Sequence, residues 1–213
     1  SWLEILGIFL TLRLYYGVFT QGLVRHGYDK DEYTSSMMSL MSVIEIVALL
    51  VYIPSCNIVY ELTGLTTVQG ISIIIITWSS GLFEFWCARQ RVEYRYKALA
   101  LLTIVFAIVQ PVAGIFAVLL FPNEVVDARV SSMAIIQIVA FGWIFFFYQR
   151  KHTGLFANKY WRHAIKFSLP LIPHYLSLTM LNQVDRIMIA RMVNNSAAGI
   201  YGLAYSLSFI MTI

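Results

Sequence analysis

Charged residues are scarce in this sequence of 213 residues. Asp, Glu, Lys and Arg together make up 12% of it, whereas a soluble globular domain carries about a quarter. A chain with so few charges cannot cover a water-facing surface in the usual way. Composition therefore argues against one or two soluble domains, although the length alone would permit them. The net charge of +4 needs no nucleic-acid partner to explain it.

Cysteine and the short motifs of enzymes are equally rare. Cys56 and Cys87 show no C-x-x-C spacing and no surrounding histidines, so neither a disulfide framework nor a metal site is predicted. The sequence has no Gly-rich phosphate loop, no paired catalytic acids and no H-E-x-x-H motif. We therefore expect no enzyme activity, no catalytic residue, no metal and no cofactor. Membrane glycosyltransfer sites can lack such motifs, which weakens the argument against an enzyme.

Long apolar runs dominate the chain instead. Hydrophobic residues make up 59% of it and aromatic residues 15%. A helix that crosses a bilayer needs roughly 20 mostly apolar residues, and the runs are too long and too uniform for barrel strands. This spacing predicts an all-α polytopic membrane protein with about seven transmembrane helices: Trp2 to Val24, Met37 to Ile58, Val68 to Cys87, Ala98 to Phe121, Ser132 to Tyr148, Phe167 to Ala190, and Ala198 to the end.

The loops between these runs alternate in charge. Basic residues cluster in every second connection: Arg25 and Lys30; Arg89, Arg91, Arg95 and Lys97; then Arg150, Lys151, Lys159, Arg162 and Lys166. The intervening loops carry few, with Arg129 in one of them. Because basic loops stay on the cytoplasmic side, this alternation supports the helix count and the orientation. Segment 154–166 is either a short amphipathic helix on the cytoplasmic interface or a plain loop.

Both ends of the sequence lie in apolar runs, and no cleavage site precedes the first run. We therefore expect no signal peptide and a chain that is part of a longer protein.

A few ionisable residues fall inside the predicted spans. A charge at the membrane centre costs at least about 2.5–3.5 kcal/mol, so such a residue usually faces a cavity or a partner. Arg13, Glu45, Asp185 and Arg186 are the candidates, and Arg13 and Glu45 are placed to neutralise each other across neighbouring helices. Glu4 and Glu84 lie nearer span ends and are expected to be interfacial.

The sixth span carries a polar stripe. At 100° per residue, Ser168, Tyr175, Thr179, Asn182 and Arg186 share one narrow face, with Asp185 beside it. Two interpretations remain open: a hydrogen-bonding seam against another helix, or the lining of a hydrated cavity. The full charge in the stripe favours the cavity.

Two prolines begin the same span. Pro170 and Pro173 either act as a hinge that lets the helix bend during alternating access or lie harmlessly in its first turn.

Several segments resemble bacterial polysaccharide flippases. They are Phe167-Ser-Leu-Pro-Leu-Ile-Pro-His174, Asn182-Gln-Val-Asp-Arg-Ile-Met-Ile189, Gly199-Ile-Tyr-Gly-Leu-Ala-Tyr205, Asp29-Lys-Asp-Glu-Tyr-Thr-Ser-Ser36 and Ala88-Arg-Gln-Arg-Val-Glu-Tyr-Arg-Tyr96. Together they are similar to the Wzx-type O-antigen and capsule exporters of the multidrug/oligosaccharidyl-lipid/polysaccharide superfamily.

This resemblance implies a two-lobe transporter of 12–14 helices. Residues 1–150 would supply the second to sixth helices of the N-terminal lobe. Residues 151–213 would begin the C-terminal lobe with an interfacial segment, the seventh helix and part of the eighth. Such proteins move undecaprenyl-diphosphate-linked oligosaccharide units across the bacterial cytoplasmic membrane by alternating access coupled to an ion gradient. Lipid-linked oligosaccharide, membrane lipids, a polysaccharide polymerase and a chain-length regulator are the expected partners.

The resemblance also suggests roles for the polar residues. Arg186 and Arg13 would contact the anionic diphosphate, and the sugar would meet Tyr175, Thr179, Asn182 and Gln183. Asp185 and Glu45 would be structural or ion-coupling. An ion-coupled multidrug exporter is the alternative, although its pocket needs less arginine, and a glycan polymerase or acyltransferase would need a larger outer loop than this chain has.

Overall fold

The computed structural model describes residues 2–25, 29–122, 124–151 and 158–210. Every regular element in those ranges is helical. The α-helices are α1 (Trp2–Thr11), α2 (Gly17–Arg25), α3 (Lys30–Thr63), α4 (Thr67–Val92), α5 (Tyr96–Leu120), α6 (Val125–Lys151), α7 (Asn158–Ser168), α8 (Ile172–Met192) and α9 (Asn195–Ile210), and the 3₁₀ turn Leu169–Leu171 joins α7 to α8.

Four of the described helices are long and apolar enough to cross a membrane, namely α3, α4, α5 and α6. The all-α polytopic membrane fold is therefore confirmed. The other three predicted spans do not meet the same length and composition, because the first is broken, α8 carries a charged pair, and α9 is described over 16 residues. The sixth and seventh predicted spans stay predictions.

The first predicted span, Trp2 to Val24, is wrong as a continuous helix. The structure ends α1 at Thr11 and begins α2 at Gly17, and Leu12 and Arg13 have φ angles of 48° and 47° in the left-handed region. Each such residue costs roughly 1–2 kcal/mol, which the surrounding packing must offset. Leu14, inside the break, is fully buried, and the Tyr15 ring meets Phe85 of α4 edge-on at 6.0 Å.

The core lies among α2, α3, α4 and α6. Aromatic rings hold it together: Phe19 packs edge-on against Phe85 at 4.7 Å, and Phe83 stacks on Phe141 at 4.3 Å. Aromatic pairs of this kind add about 0.5–1.5 kcal/mol beyond the area that they bury. This interior fixes α2 and α4 against each other, and both helices contribute to the polar site described below.

Helix α5 has an apolar surface. In α5, Gly114 is the one buried residue among those described, while side chains such as Leu101, Ile108 and Leu119 are exposed along its length. Contiguous apolar surface of this extent marks contact with a membrane or another protein. Together with the helix lengths, this surface indicates that α5 faces lipid.

The loops with few basic residues meet at one end of the bundle. Gly64 ends α3 with a φ of 71°, a left-handed conformation that suits glycine. Thr66 then caps α4 by accepting a hydrogen bond from Gln69 N–H at 3.3 Å. Asp127, in the first turn of α6, accepts hydrogen bonds from Thr66 and from the Gln69 amide.

The basic loops meet at the other end, called here the basic end: Arg25, the N-terminus of α3, Arg89 to Arg95, Arg150 and α7. Arg89 forms an ion pair with Asp31 of α3, and Gln149 donates to Ser39 at 2.6 Å. Trp161 of α7 donates its indole N–H to the carbonyl oxygen of Ser36 at 3.0 Å. The alternation of loops read from the sequence is thus matched by their positions in space.

Helix α7 settles one open alternative. Residues 158–166 are helical rather than a plain loop, whereas residues 154–157 lie outside the described part of the chain. Helix α7 continues through Phe167 and Ser168. Helix α8 therefore begins at Ile172, five residues after the start predicted for the sixth span. Pro170 lies in the 3₁₀ turn and Pro173 in the first turn of α8. The prolines therefore form a joint between α7 and α8 rather than a kink within a span.

Candidate substrate site

The break between α1 and α2 places Arg13 beside α8. Thr11 stabilises the break, because its hydroxyl donates to the Gly7 carbonyl at 2.7 Å and accepts from the Arg13 N–H at 3.2 Å. A one-turn bond from Tyr16 N–H to the Arg13 carbonyl, 3.0 Å long, then leads into α2. Non-helical backbone at membrane depth is tolerated where it is buried in protein or lines a water-filled cavity.

Two tyrosines hold the Arg13 guanidinium. Its central carbon lies 5.4 Å from the Tyr16 ring centroid and 5.6 Å from that of Tyr175 on α8. Each cation–π contact is worth about 0.5–1 kcal/mol at an exposed site and more when desolvated. The suggested neutralisation of Arg13 by Glu45 is wrong, because no ion pair joins them in the described structure. The rings leave the guanidinium N–H groups available to an anion.

A polar cleft adjoins this cluster. It has a volume of about 390 Å³ between α2 and α4, and Tyr16 belongs to both features. Its other polar lining residues are Tyr15, Thr20, Glu84 and Arg91. Hydroxyl, carboxylate and guanidinium groups beside aromatic rings offer the mixture of hydrogen bonds and apolar faces that a sugar requires.

The polar stripe of α8 divides between two neighbours. Thr179 and Gln183 are each 7% exposed, and the Gln183 amide donates to the Glu4 carboxylate of α1. That part of the stripe is a helix–helix seam. Asn182 is exposed, so it does not belong to the buried face that contains Thr179. Gln183 lies on that face instead.

Arg186 and Asp185 face α9 instead of α1. The Arg186 guanidinium lies 5.0 Å from the Tyr205 ring centroid, and its buried Nε has no hydrogen-bond partner among the described residues. The Tyr201 hydroxyl donates to Asp185 at 3.2 Å. No ion pair joins Asp185 and Arg186 in the described part of the chain, and each contacts a different tyrosine of α9.

The two arginines lie at different levels along α8. Arg13 contacts Tyr175, near the start of the helix, and Arg186 lies about 16 Å further along at 1.5 Å per residue. Because α8 begins next to α7, Arg13 is nearer the basic end. The structure thus places two cationic groups in sequence along one helix, rather than in one pocket.

Glu45 forms a separate polar position between α3 and α4. It is 3% exposed and accepts a hydrogen bond from the Thr77 hydroxyl at 3.4 Å. Its other carboxylate oxygen is buried without a partner in the described structure. An unpartnered buried polar atom costs roughly 1–3 kcal/mol, so this oxygen does not stabilise the fold.

Sequence reasoning did not identify three residues of the cleft. The sequence gives no reason to select Thr20, places Glu84 near a span end and places Arg91 in a basic loop. All three nevertheless line the cleft. Glu84 and Arg91 are seven residues apart on α4, a spacing that puts both on one helix face. That periodicity was the available signal.

Comparison with known proteins places these features in context. Residues 90–213 match the family described as "Polysaccharide biosynthesis protein". A 98-residue segment is 27% identical to the protein named "Lsg locus putative protein 1" of Haemophilus influenzae, covering 44% of this chain and 24% of that protein. The chain thus matches about a quarter of the relative's length. No solved structure matches.

Proposed function

Because this chain belongs to the polysaccharide biosynthesis protein family, we propose that it translocates lipid-linked oligosaccharide units across the bacterial cytoplasmic membrane. The lipid carrier would be undecaprenyl diphosphate, and the direction would be from the cytoplasmic to the outer leaflet. The chain would act by alternating access as a transporter rather than as an enzyme. The basic end would then face the cytoplasm.

The observation that carries this proposal is the Arg13 cluster beside its polar cleft. A diphosphate is a multiply charged anion, and guanidinium groups bind it through paired, charge-assisted hydrogen bonds. Tyr16 and Tyr175 both contact the Arg13 guanidinium without neutralising it, so the guanidinium is oriented before the ligand arrives. The adjoining cleft of about 390 Å³ would receive sugar hydroxyls.

Arg186 supports a stepwise path for the headgroup. It lies further along α8 than the Tyr175–Arg13 contact and contacts the Tyr205 ring, and its buried Nε has no partner in the described ranges. A diphosphate leaving Arg13 would reach this second guanidinium while the lipid tail stays in the bilayer. Glu45 and Asp185 are the carboxylates to which we assign ion coupling. A multidrug exporter remains the alternative, but two guanidinium groups along one helix favour an anionic ligand.

The test is translocation of a fluorescent lipid-linked oligosaccharide in proteoliposomes that contain the intact protein. Arg13→Gln should slow translocation by roughly 10- to 100-fold, because one charge-assisted hydrogen bond is worth about 1.5–3 kcal/mol. Arg13→Lys should keep the charge but lose paired hydrogen bonds, giving an intermediate rate.

The matched control is Arg129→Gln, which removes an exposed arginine at the other end of the bundle. It should translocate at the normal rate. Absence of translocation by the unmodified protein would refute the proposed function. Normal translocation by Arg13→Gln would remove Arg13 from it.

A further inference from the structure

A second polar cleft lies at the basic end, apart from the Arg13 cluster. It has a volume of about 520 Å³, within the roughly 300–1,000 Å³ of small-molecule sites. Three basic side chains line it, from α2 (Arg25) and α7 (Lys159 and His163). We call it the basic cleft. None of these basic residues belongs to the substrate path described above.

The fold brings these three residues together from distant parts of the sequence. Arg25 is the last residue of α2. Lys159 and His163 are four residues apart, so they project from one face of α7. The indole N–H of Trp161 holds α7 against the Ser36 carbonyl at 3.0 Å, and Ala164 is 1% exposed beneath it. The basic face of α7 is therefore fixed against α2.

The basic side chains have no anionic partner in the structure. Among the described residues, no ion pair or hydrogen bond engages the Arg25, Lys159 or His163 side chain. The carboxylates of Glu32 and Asp29 act on Tyr160, which lines the cleft. Arg25, Lys159 and His163 have no such contact among the described residues, so an anionic ligand can pair with them.

The walls of the basic cleft supply hydroxyl and amide groups. Gln21, Tyr33 and Tyr160 line it together with Val18 and Gly22. Burial, with the nearby Glu32 and Asp29 charges, raises the pKa of Tyr160. Tyr33 already donates to the Val18 carbonyl at 3.1 Å and forms a wall rather than a ligand contact.

We propose that the basic cleft binds the phosphate group of a membrane lipid at the basic end of the bundle. Guanidinium, ammonium and imidazole groups that converge on one cavity match a phosphate's oxygens. The cleft lies where spanning helices α3, α4 and α6 begin or end, which is the level of lipid headgroups. Juxtamembrane basic residues contribute about 1 kcal/mol each toward anionic lipid. This inference needs the protein to be in a membrane but does not depend on translocation.

The experiment measures binding in nanodiscs of phosphatidylcholine that contain the intact protein. The probe is a dansyl-labelled polyprenyl phosphate incorporated in the disc, detected by energy transfer from tryptophan. The cleft variant is Arg25→Gln with Lys159→Gln. Its control is Arg162→Gln with Lys166→Gln, which removes two charges from exposed positions of α7 outside the cleft.

The cleft variant should bind at least about tenfold more weakly, since a lost charge-assisted hydrogen bond is worth about 1.5–3 kcal/mol. The control, with the same loss of charge, should change binding less than about threefold. Equal weakening in both variants would show general attraction to basic surface and overturn the site. An unchanged affinity in the cleft variant, with its thermal unfolding also unchanged, would overturn it as well.

Two competitors separate the sources of phosphate. Phosphatidylglycerol in the disc should displace the probe if the cleft binds any lipid phosphate. If it does not displace the probe, the ligand is restricted to polyprenyl phosphates. Both results support a lipid site. Inorganic pyrophosphate in solution should compete poorly. Competition by pyrophosphate at the same concentration as the lipid would overturn the lipid proposal. Normal binding in a protein that fails to translocate would refute the proposed function and leave this site standing.

Discussion

Gly22→Ala should destabilise the protein by about 2–4 kcal/mol. A Cβ at Gly22 would lie closer than 3.0 Å to the Tyr33 phenol, a separation that real Cβ atoms do not show. Neighbouring rings confine Tyr33, because it is 3% exposed, stacks on Phe19 at 5.7 Å and meets Tyr160 edge-on at 5.2 Å. Overpacking costs about 1–3 kcal/mol. Displacing the Tyr33 hydroxyl from the Val18 carbonyl adds about 0.5–1.5 kcal/mol.

The assay is thermal unfolding in detergent, followed by loss of the tertiary signal. Gly114→Ala is the control, because a Cβ there meets nothing within 4 Å. That substitution should be neutral or stabilise α5 by about 0.5–1 kcal/mol. The double variant Gly22→Ala with Tyr33→Ala should recover part of the loss relative to the sum of the single changes. Equal melting temperatures for Gly22→Ala and Gly114→Ala would refute the reasoning.

Two further predictions concern α7 and Glu45. Trp161→Phe removes the indole hydrogen bond to Ser36 and should cost about 0.5–1.5 kcal/mol; hydrogen exchange in α7 should rise, and unchanged protection would contradict the docking. Glu45→Gln should leave thermal stability nearly unchanged, because the amide oxygen still accepts from Thr77, whereas accumulation of lipid-linked oligosaccharide driven by an imposed ion gradient should be lost. Gradient-driven accumulation by Glu45→Gln would exclude Glu45 from coupling.

The long helices could be predicted from hydropathy, but the break in the first one could not. Segment 12–16 contains neither glycine nor proline, and its apolar residues satisfy a span-length window. The left-handed angles at Leu12 and Arg13 accompany the burial of Leu14 and the packing of Tyr15 on Phe85, which a single sequence does not show. A tertiary contact overrode local preference here.

Part of the candidate site could likewise be predicted. The period of α8 predicts that Thr179 and Arg186 share a polar face turned to another helix or to a cavity, and the structure buries Thr179 and the Arg186 Nε. The partners could not be inferred, because periodicity gives the face of a helix and not its neighbour. Glu4 against Gln183 and Tyr205 against Arg186 both depend on which helices are adjacent.

The boundary of α8 depends on chemistry that the sequence contains. Pro170 and Pro173 lack backbone N–H groups, so the chain changes direction through a 3₁₀ turn before α8 starts. A hydropathy window assigns the last two residues of α7 and the 3₁₀ turn to this span because Phe167 to Ile172 is mostly apolar. The interpretation that places Pro170 and Pro173 at the start of the helix is the one that agrees with this boundary.

The proposed translocation of a polar headgroup requires water beside the polar faces of α2 and α8. Solvent access can be measured with single cysteines in the intact protein, after Cys56 and Cys87 are replaced by serine and alanine. A membrane-impermeant maleimide should label Thr20→Cys, in the polar cleft, and Asn182→Cys, on α8, much faster than Leu101→Cys on the apolar face of α5. If all three cysteine variants react at the same slow rate, hydrocarbon lies where the proposed translocation requires a hydrated passage.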